Sequence, residues 1–123
     1  AQDMGRAPVR MDARAFTRMK RGKLRPDGRI DLHGLTLAQA HPALIGFILS
    51  SAAQGRRLVL VITGKGRPRD DSAPMPFGAG LLRRQVPLWL GQAPLAPHVL
   101  QIAPAHISHG GEGALYVYLR RPR

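Results

Sequence analysis

The fold turns on residues 29–63, RIDLHGLTLAQAHPALIGFILSSAAQGRRLVLVIT. RIDL (29–32) reads as a short strand. Thr36 then offers the short hydroxyl side chain favoured at a helix N-cap. Beyond it, Leu37, Ala40, Leu44, Ile45, Ile48, Leu49 and Ala52 recur at the spacing of one apolar helix face, and Gly55 is a stop signal. Pro42 falls inside this helix, where it removes one backbone hydrogen bond and bends the axis. RLVLVIT (57–63) is a run of branched residues, apolar on both faces as a central parallel strand would be. Strand, helix and strand make a βαβ unit, with parallel strands and a right-handed crossover.

Working outward from this unit, GKGRPRDDSAPMPFGAG (64–80) is a long loop rich in Gly and Pro, of the kind that carries function or moves. LLRRQVPLWLG (81–91) reads as a second helix that turns Leu82, Val86, Trp89 and Leu90 inward and is bent by Pro87. HVLQIAPA (98–105) is a third strand, HISHGGEG (106–113) a glycine-rich connection, and ALYVYLRR (114–121) a last strand with clear alternation. There is no internal repeat. The order β-α-β-α-β-β predicts an α/β fold: a two-layer sandwich with a small mixed sheet and both helices packed on it.

Residues 1–28 are polar and basic without a strong period. DARAFTRMKRGKLRPDG predicts a short basic helix ending near Gly22, with Phe16, Met19 and Leu24 as its anchors. This stretch is expected to be a partly ordered extension that adds charge and little core to a domain of residues 29–123. A chain of 123 residues with 44% hydrophobic content supports one small core. Cysteine is absent, which excludes disulfides and thiolate metal sites. No apolar run approaches a membrane span and the first residues lack a signal-peptide core, so a soluble cytoplasmic protein without membrane contact is expected. The opening alanine suggests a fragment of a longer chain.

Charge is the strongest bulk signal. Nineteen Lys and Arg oppose seven Asp and Glu, a net charge of +12, and only three of the nineteen are lysine. Arginine presents a planar fork that matches phosphate oxygens. The expected partner is a polyanion: nucleic acid, with the ribosome as one form of it.

Asp31 and His33 are two apart on the first strand and so face the same side at its carboxyl end. A carboxylate that accepts from one imidazole nitrogen leaves the other free as a base. Gly34 allows a sharp turn and close approach of another backbone. The following helix aims its free N–H groups at the same place. The parallel second strand ends at the same edge, which brings Thr63, Gly64, Lys65 and Gly66 beside the pair. Glycine amides and a lysine there suit a phosphate. This is not a Walker loop, which would want Gly at Val59 and Ser or Thr at Gly66. Gly110, Gly111 and Gly113 form a third motif whose simplest role is a tight turn. His106 and His109 are three apart, but with Glu112 the only nearby carboxylate a metal site is not expected. The seven acids are too scattered for a two-metal nuclease.

Taken together and in order, DLHG, TGKG, the arginines before VPLWL, and HGGEGALYVYLRR resemble the small MutS-related (Smr) domain, over about Asp31 to Arg121 and in its stand-alone bacterial form. The resemblance implies a fold similar to the C-terminal domain of translation initiation factor three. It also implies an endonuclease that nicks or cleaves DNA or RNA. By it, Asp31 and His33 are catalytic, with Lys65 and Arg83 as catalytic cations and Arg84 the alternative to Arg83. Phosphate binding falls to Gly34, Thr63, Gly64, Lys65, Gly66, Arg67, Arg84, Gly110, Gly111 and Gly113. No cofactor is required on RNA, and a divalent ion such as magnesium enters on DNA. The rival reading is a non-catalytic nucleic-acid- or ribosome-binding module. A monomer is favoured, and the choice between DNA and RNA stays open.

Overall fold

The structure is a computed structural model and describes residues 13–64 and 80–121. Its elements are helix α1 (Ala13–Lys20), strand β1 (Gly28–Asp31), helix α2 (Leu37–Ala53), strand β2 (Leu58–Ile62), helix α3 (Leu81–Leu90), strand β3 (Val99–Pro104) and strand β4 (Ala114–Leu119). β1 and β2 run parallel with Asp31 opposite Ile62. β4 lies antiparallel to β2 and β3 antiparallel to β4, so the mixed sheet has the order β1-β2-β4-β3. The α/β fold and the β-α-β-α-β-β order are those expected, with α1 preceding them.

α2 starts where the sequence places it. The Thr36 hydroxyl accepts from the Gln39 N–H at 3.1 Å, and the Gln39 side chain accepts from the Thr36 N–H at 3.0 Å. This reciprocal box satisfies two amides that a helix start leaves open. The helix continues through Pro42 and buries Ala40, Leu44, Ile48 and Ala52. α3 buries the four residues expected, Leu82, Val86, Trp89 and Leu90. Both helices pack on one face of the sheet, against Val59, Val61, Val117 and Leu119. His41 of α2 stacks on Trp89 of α3 with ring centroids 4.5 Å apart. Removing one large side chain from this core, as in Leu44→Ala, costs about 2–5 kcal/mol.

β2 alternates between two buried faces. Val59 and Val61 meet α2 and α3, while Leu58 and Leu60 join Ala103, Ala105, Ala114 and Tyr116 on the opposite face. α1 covers that second face. Met19 is fully buried there, and Phe16 and Leu24 pack beside it. The three anchors named from sequence are therefore the ones in contact, but the extension supplies core as well as charge. The reason is the double-sided apolar pattern of β2 and the inward aromatic of β4: without α1, Leu58, Leu60 and Tyr116 would lose their cover. Among the described residues, no helix is long and apolar enough to cross a membrane.

Candidate active site

The site edge follows from the strand directions. β1 and β2 end together, and β4 begins there with Ala114 opposite Ile62. Ile30 and Leu32 point into the core under α2 and α3. By strand alternation, Asp31 and His33 point to the other side, the one that α1 partly covers. There the Asp31 Oδ1 accepts twice from His33, from its backbone N–H at 3.0 Å and from its ring Nδ1 at 2.6 Å. Both side chains are exposed, His33 at 68% and Asp31 at 42%. The side-chain hydrogen bond from His33 holds the Asp31 carboxyl below its usual value; burial opposes it, and the His33 amide and Arg29 add to it. An ionised carboxylate can only accept, so in neutral His33 the proton sits on Nδ1 and the Nε2 lone pair is open to substrate.

The glycines divide the work differently from expectation. Gly34 has φ of +83° and makes the turn out of β1, but the space where its Cβ would stand is empty. The close approach occurs at Gly64, φ +81°, where an added Cβ would lie 3.2 Å from the Cβ of His33. A side chain at Gly64 would therefore press on the histidine itself.

The backbone amides at this edge are not left for phosphate. Thr63 N–H and Gly64 N–H both donate to the Gly113 carbonyl, at 2.8 and 3.0 Å. The Thr63 hydroxyl lies within reach of the Gly64 and Gly113 carbonyls, at 3.2 and 3.4 Å. Gly110 N–H donates to Ile107 O, Gly111 N–H to His106 O, and Gly113 N–H to Gly110 O. The amides of Thr63, Gly64, Gly110, Gly111 and Gly113 therefore each have a backbone acceptor, whereas the sequence suggested exposed glycine amides in the 63–66 motif. The physical cause is that the β2–β4 pairing continues past the strand ends, and buried backbone donors take a partner wherever one is in line. The second and third motifs thus clamp each other and brace His33. Lys65, Gly66 and Arg67 lie outside the described residues.

Arg83 and Arg84 occupy exposed positions in the first turn of α3. The chain after α3 re-enters the sheet at Val99, which pairs with Leu119.

Sequence reasoning weighed His106 and His109 only as metal ligands. In the structure their Nδ1 atoms serve separate partners. His106 Nδ1 lies 2.8 Å from Ser108 Oγ and accepts the Ser108 N–H at 3.1 Å. His109 Nδ1 lies 2.5 Å from the hydroxyl of Tyr116, which also accepts the His106 N–H at 3.2 Å. Burial pushes the Tyr116 phenol up, only partly offset by the His106 amide. The signal available in sequence was an inward tyrosine on the alternating last strand, seven residues after a histidine that opens a glycine turn. Spacing alone does not show that the two meet, because the turn between them sets the distance.

A profile of the Smr domain matches residues 30–120. A ribosome rescue factor SmrB of Shewanella putrefaciens is 31% identical over 109 residues, which cover 89% of this chain and 53% of that protein. A ribosome rescue factor SmrB of Salmonella arizonae is 33% identical over 113 residues, covering 90% and 54%. The chain thus spans about half the length of these relatives. Among solved structures, YdaL, a stand-alone small MutS-related protein from Escherichia coli, is similar with a TM-score of 0.68 and 28% identity, covering 90% of this chain and 78% of that one. The Smr domain of Thermus thermophilus MutS2 is similar with a TM-score of 0.59 and 26% identity, covering 76% and 98%. The profile spans both strands of the βαβ unit, the Asp31–His33 pair and the glycine clamp, and the chain belongs to the Smr domain family.

Proposed function

We propose that this chain is an endonuclease acting on RNA, with His33 as general base. The observation that carries the reading is the Asp31–His33 pair: a ring held at Nδ1 by a carboxylate, open at Nε2, on an exposed edge of a chain with net charge +12. His33 Nε2 takes the proton of a 2′-hydroxyl. The 2′-oxygen attacks phosphorus, the bond to the 5′-oxygen breaks, water protonates that oxygen, and the hydroxide left takes the proton from the His33 imidazolium. The products are a cyclic phosphate and a 5′-hydroxyl. Asp31 orients the ring and stabilises the imidazolium that forms. Arg83, with Arg84 beside it, and Lys65 stabilise the growing phosphate charge. No metal is needed for this route. On DNA the nucleophile would be water, activated with help from a divalent ion.

The relatives are named for ribosome rescue, and the surplus of arginine suits an RNA-rich surface. We therefore extend the reading to RNA held at a ribosome, in the cytoplasm.

The test is incubation of the purified protein with end-labelled RNA and DNA, with and without EDTA. Cleavage of RNA that persists in EDTA and leaves a cyclic phosphate supports the reading. Tight binding with no cleavage of either nucleic acid would overturn it in favour of a non-catalytic binding module. That rival draws on a specific observation, namely that the clamp amides are engaged with each other and not free to bind a transition state.

A further inference from the structure

The proposed chemistry leaves one polar cluster unused on the same edge of the sheet, and on the face to which His33 points. Tyr116 is fully buried, and it belongs to the cluster under α1 with Met19 and Leu60. Its hydroxyl has two partners, the His106 N–H and the His109 Nδ1. Burial favours the protonated phenol. A buried O–H takes an acceptor, and the His106 amide is itself a donor, so the acceptor is His109 Nδ1. That leaves the proton of His109 on Nε2. Among the described residues Nε2 has no partner.

The two histidines are thereby held in opposite tautomers. Asp31 puts the proton of His33 on Nδ1 and bares Nε2. Tyr116 puts the lone pair of His109 on Nδ1 and leaves Nε2 as a donor. They flank the same sheet edge, His33 just after β1 and His109 in the turn before β4. Asp31, Ile62 and Ala114 are in register on adjacent strands, so β1 and β4 lie two strand spacings apart, about 10 Å. About two or three nucleotides of a strand cover that distance at a helical rise of roughly 3.4 Å. His106 differs from His109. A Cβ on Gly22 would lie 2.8 Å from its ring, so His106 is packed against the turn after α1 and closes its own loop through Ser108.

We propose that His109 is a neutral hydrogen-bond donor to a phosphate oxygen of the bound strand, fixed in its Nε2–H form by Tyr116. The inference rests on the reading that this edge binds nucleic acid, and it assigns one ring to accept a proton and the other to donate a hydrogen bond. No proton is transferred from His109. A neutral imidazole whose donor nitrogen is fixed by its surroundings can polarise a substrate oxygen in this way.

The experiment is long-range ¹H–¹⁵N NMR on the full chain with labelled histidine rings, before and after addition of a 2′-O-methyl RNA oligonucleotide, which has no 2′-hydroxyl to react. The expected result is Nδ1–H at His33, Nε2–H at His109, and a shift of the His109 Nε2 resonance on binding. Tyr116→Phe should blur the His109 tautomer, an effect that a merely structural role would not produce. His109→Ala should lower cleavage about 10²-fold. His109→Gln, whose amide keeps a donor, should stay within about tenfold of wild type, with melting temperatures recorded for each variant. An Nδ1–H tautomer at His109, an Nε2 resonance unmoved at saturating oligonucleotide, or a folded His109→Ala protein with wild-type affinity and rate would overturn the proposal. If the ring shifts on binding but wild type cleaves no RNA, the donor stands and the nuclease reading falls. If RNA is cleaved while the ring stays unmoved, the reverse holds. A wild-type protein that binds no nucleic acid sinks both.

Discussion

The two faces of the sheet are built from different materials. The face under α2 and α3 is closed by large aliphatic residues and Trp89, drawn from two full helices and the strands beneath them. The face under α1 is closed by one buried methionine over Ala103, Ala105 and Ala114, with a buried phenol among them. Asp31, His33, His109 and Tyr116 belong to the second face, whereas Arg83 and Arg84 lie on α3, which packs on the first. The first face is a place where polar atoms would be costly, and it sets the fold. The second is shallow at its edge, so polar groups there keep access to solvent and substrate while the strands behind them stay fixed.

Breaking each face should give different losses. The largest expected effect is on rate: His33→Ala should lower RNA cleavage by about 10²–10⁴-fold. Affinity and melting temperature should barely change, because the ring is 68% exposed and its loss uncovers no core. A variant that unfolds, or one that cleaves at the wild-type rate, would contradict the division of labour between the faces.

Next in size are the core substitutions. Leu44→Ala on the first face should cost about 2–5 kcal/mol in denaturant unfolding, with the activity of the remaining folded protein unchanged. Met19→Ala should fall within the same range, since the side chain is fully buried against Leu58, Leu60 and Tyr116. It should also disturb the His109 ring signal, because Met19 and Tyr116 share a cluster. For the same reason, a chain shortened to begin near Arg29 should melt lower and not merely bind more weakly. Equal stability of the shortened and full chains would show that α1 is dispensable to the second face.

A smaller effect tests the frame alone. Thr36→Ala removes the hydroxyl that caps α2 and should cost about 1 kcal/mol, read from the unfolding midpoint, with no change in the rate per folded molecule.

The smallest effect is on acid stability. The Asp31 carboxyl titrates lower when folded than when unfolded, so its contribution is present above the unfolded value and is lost as pH falls through the lower folded one. Because the pair is largely exposed, solvent screens that contribution, and it should appear as a weak dependence confined to pH below about 4. Carbon-13 titration of the Asp31 carboxyl should show a midpoint below that of an aspartate in an unstructured peptide. Coincidence with an unstructured aspartate would remove the His33 hydrogen bond from the account.

Much of this molecule was legible one segment at a time. The period of α2, the Thr36 cap, the inward residues of α3 and the shared direction of Asp31 and His33 are local consequences of side-chain spacing, and each was found where the residues put it. The three anchors of α1 were legible as well, but not their worth. Whether Met19 is core depends on what lies beneath it, and that depends on Leu58 and Leu60 of β2 and Tyr116 of β4 arriving from two other places in the chain.

The sequence by itself determined the elements and the pairing of Asp31 with His33. It carried the apolar periods, the βαβ unit that brings two strand ends to one edge, and the carboxylate two residues before the histidine. The tertiary structure alone decided three things: that β4 inserts between β2 and β3, that Gly113 takes the amides of Thr63 and Gly64, and that the buried Tyr116 hydroxyl meets His109 Nδ1. The physical reason is common to all three. Backbone amides, carbonyls and buried hydroxyls must find partners, and which partner each finds is settled by segments far apart in the chain that meet only when the sheet closes.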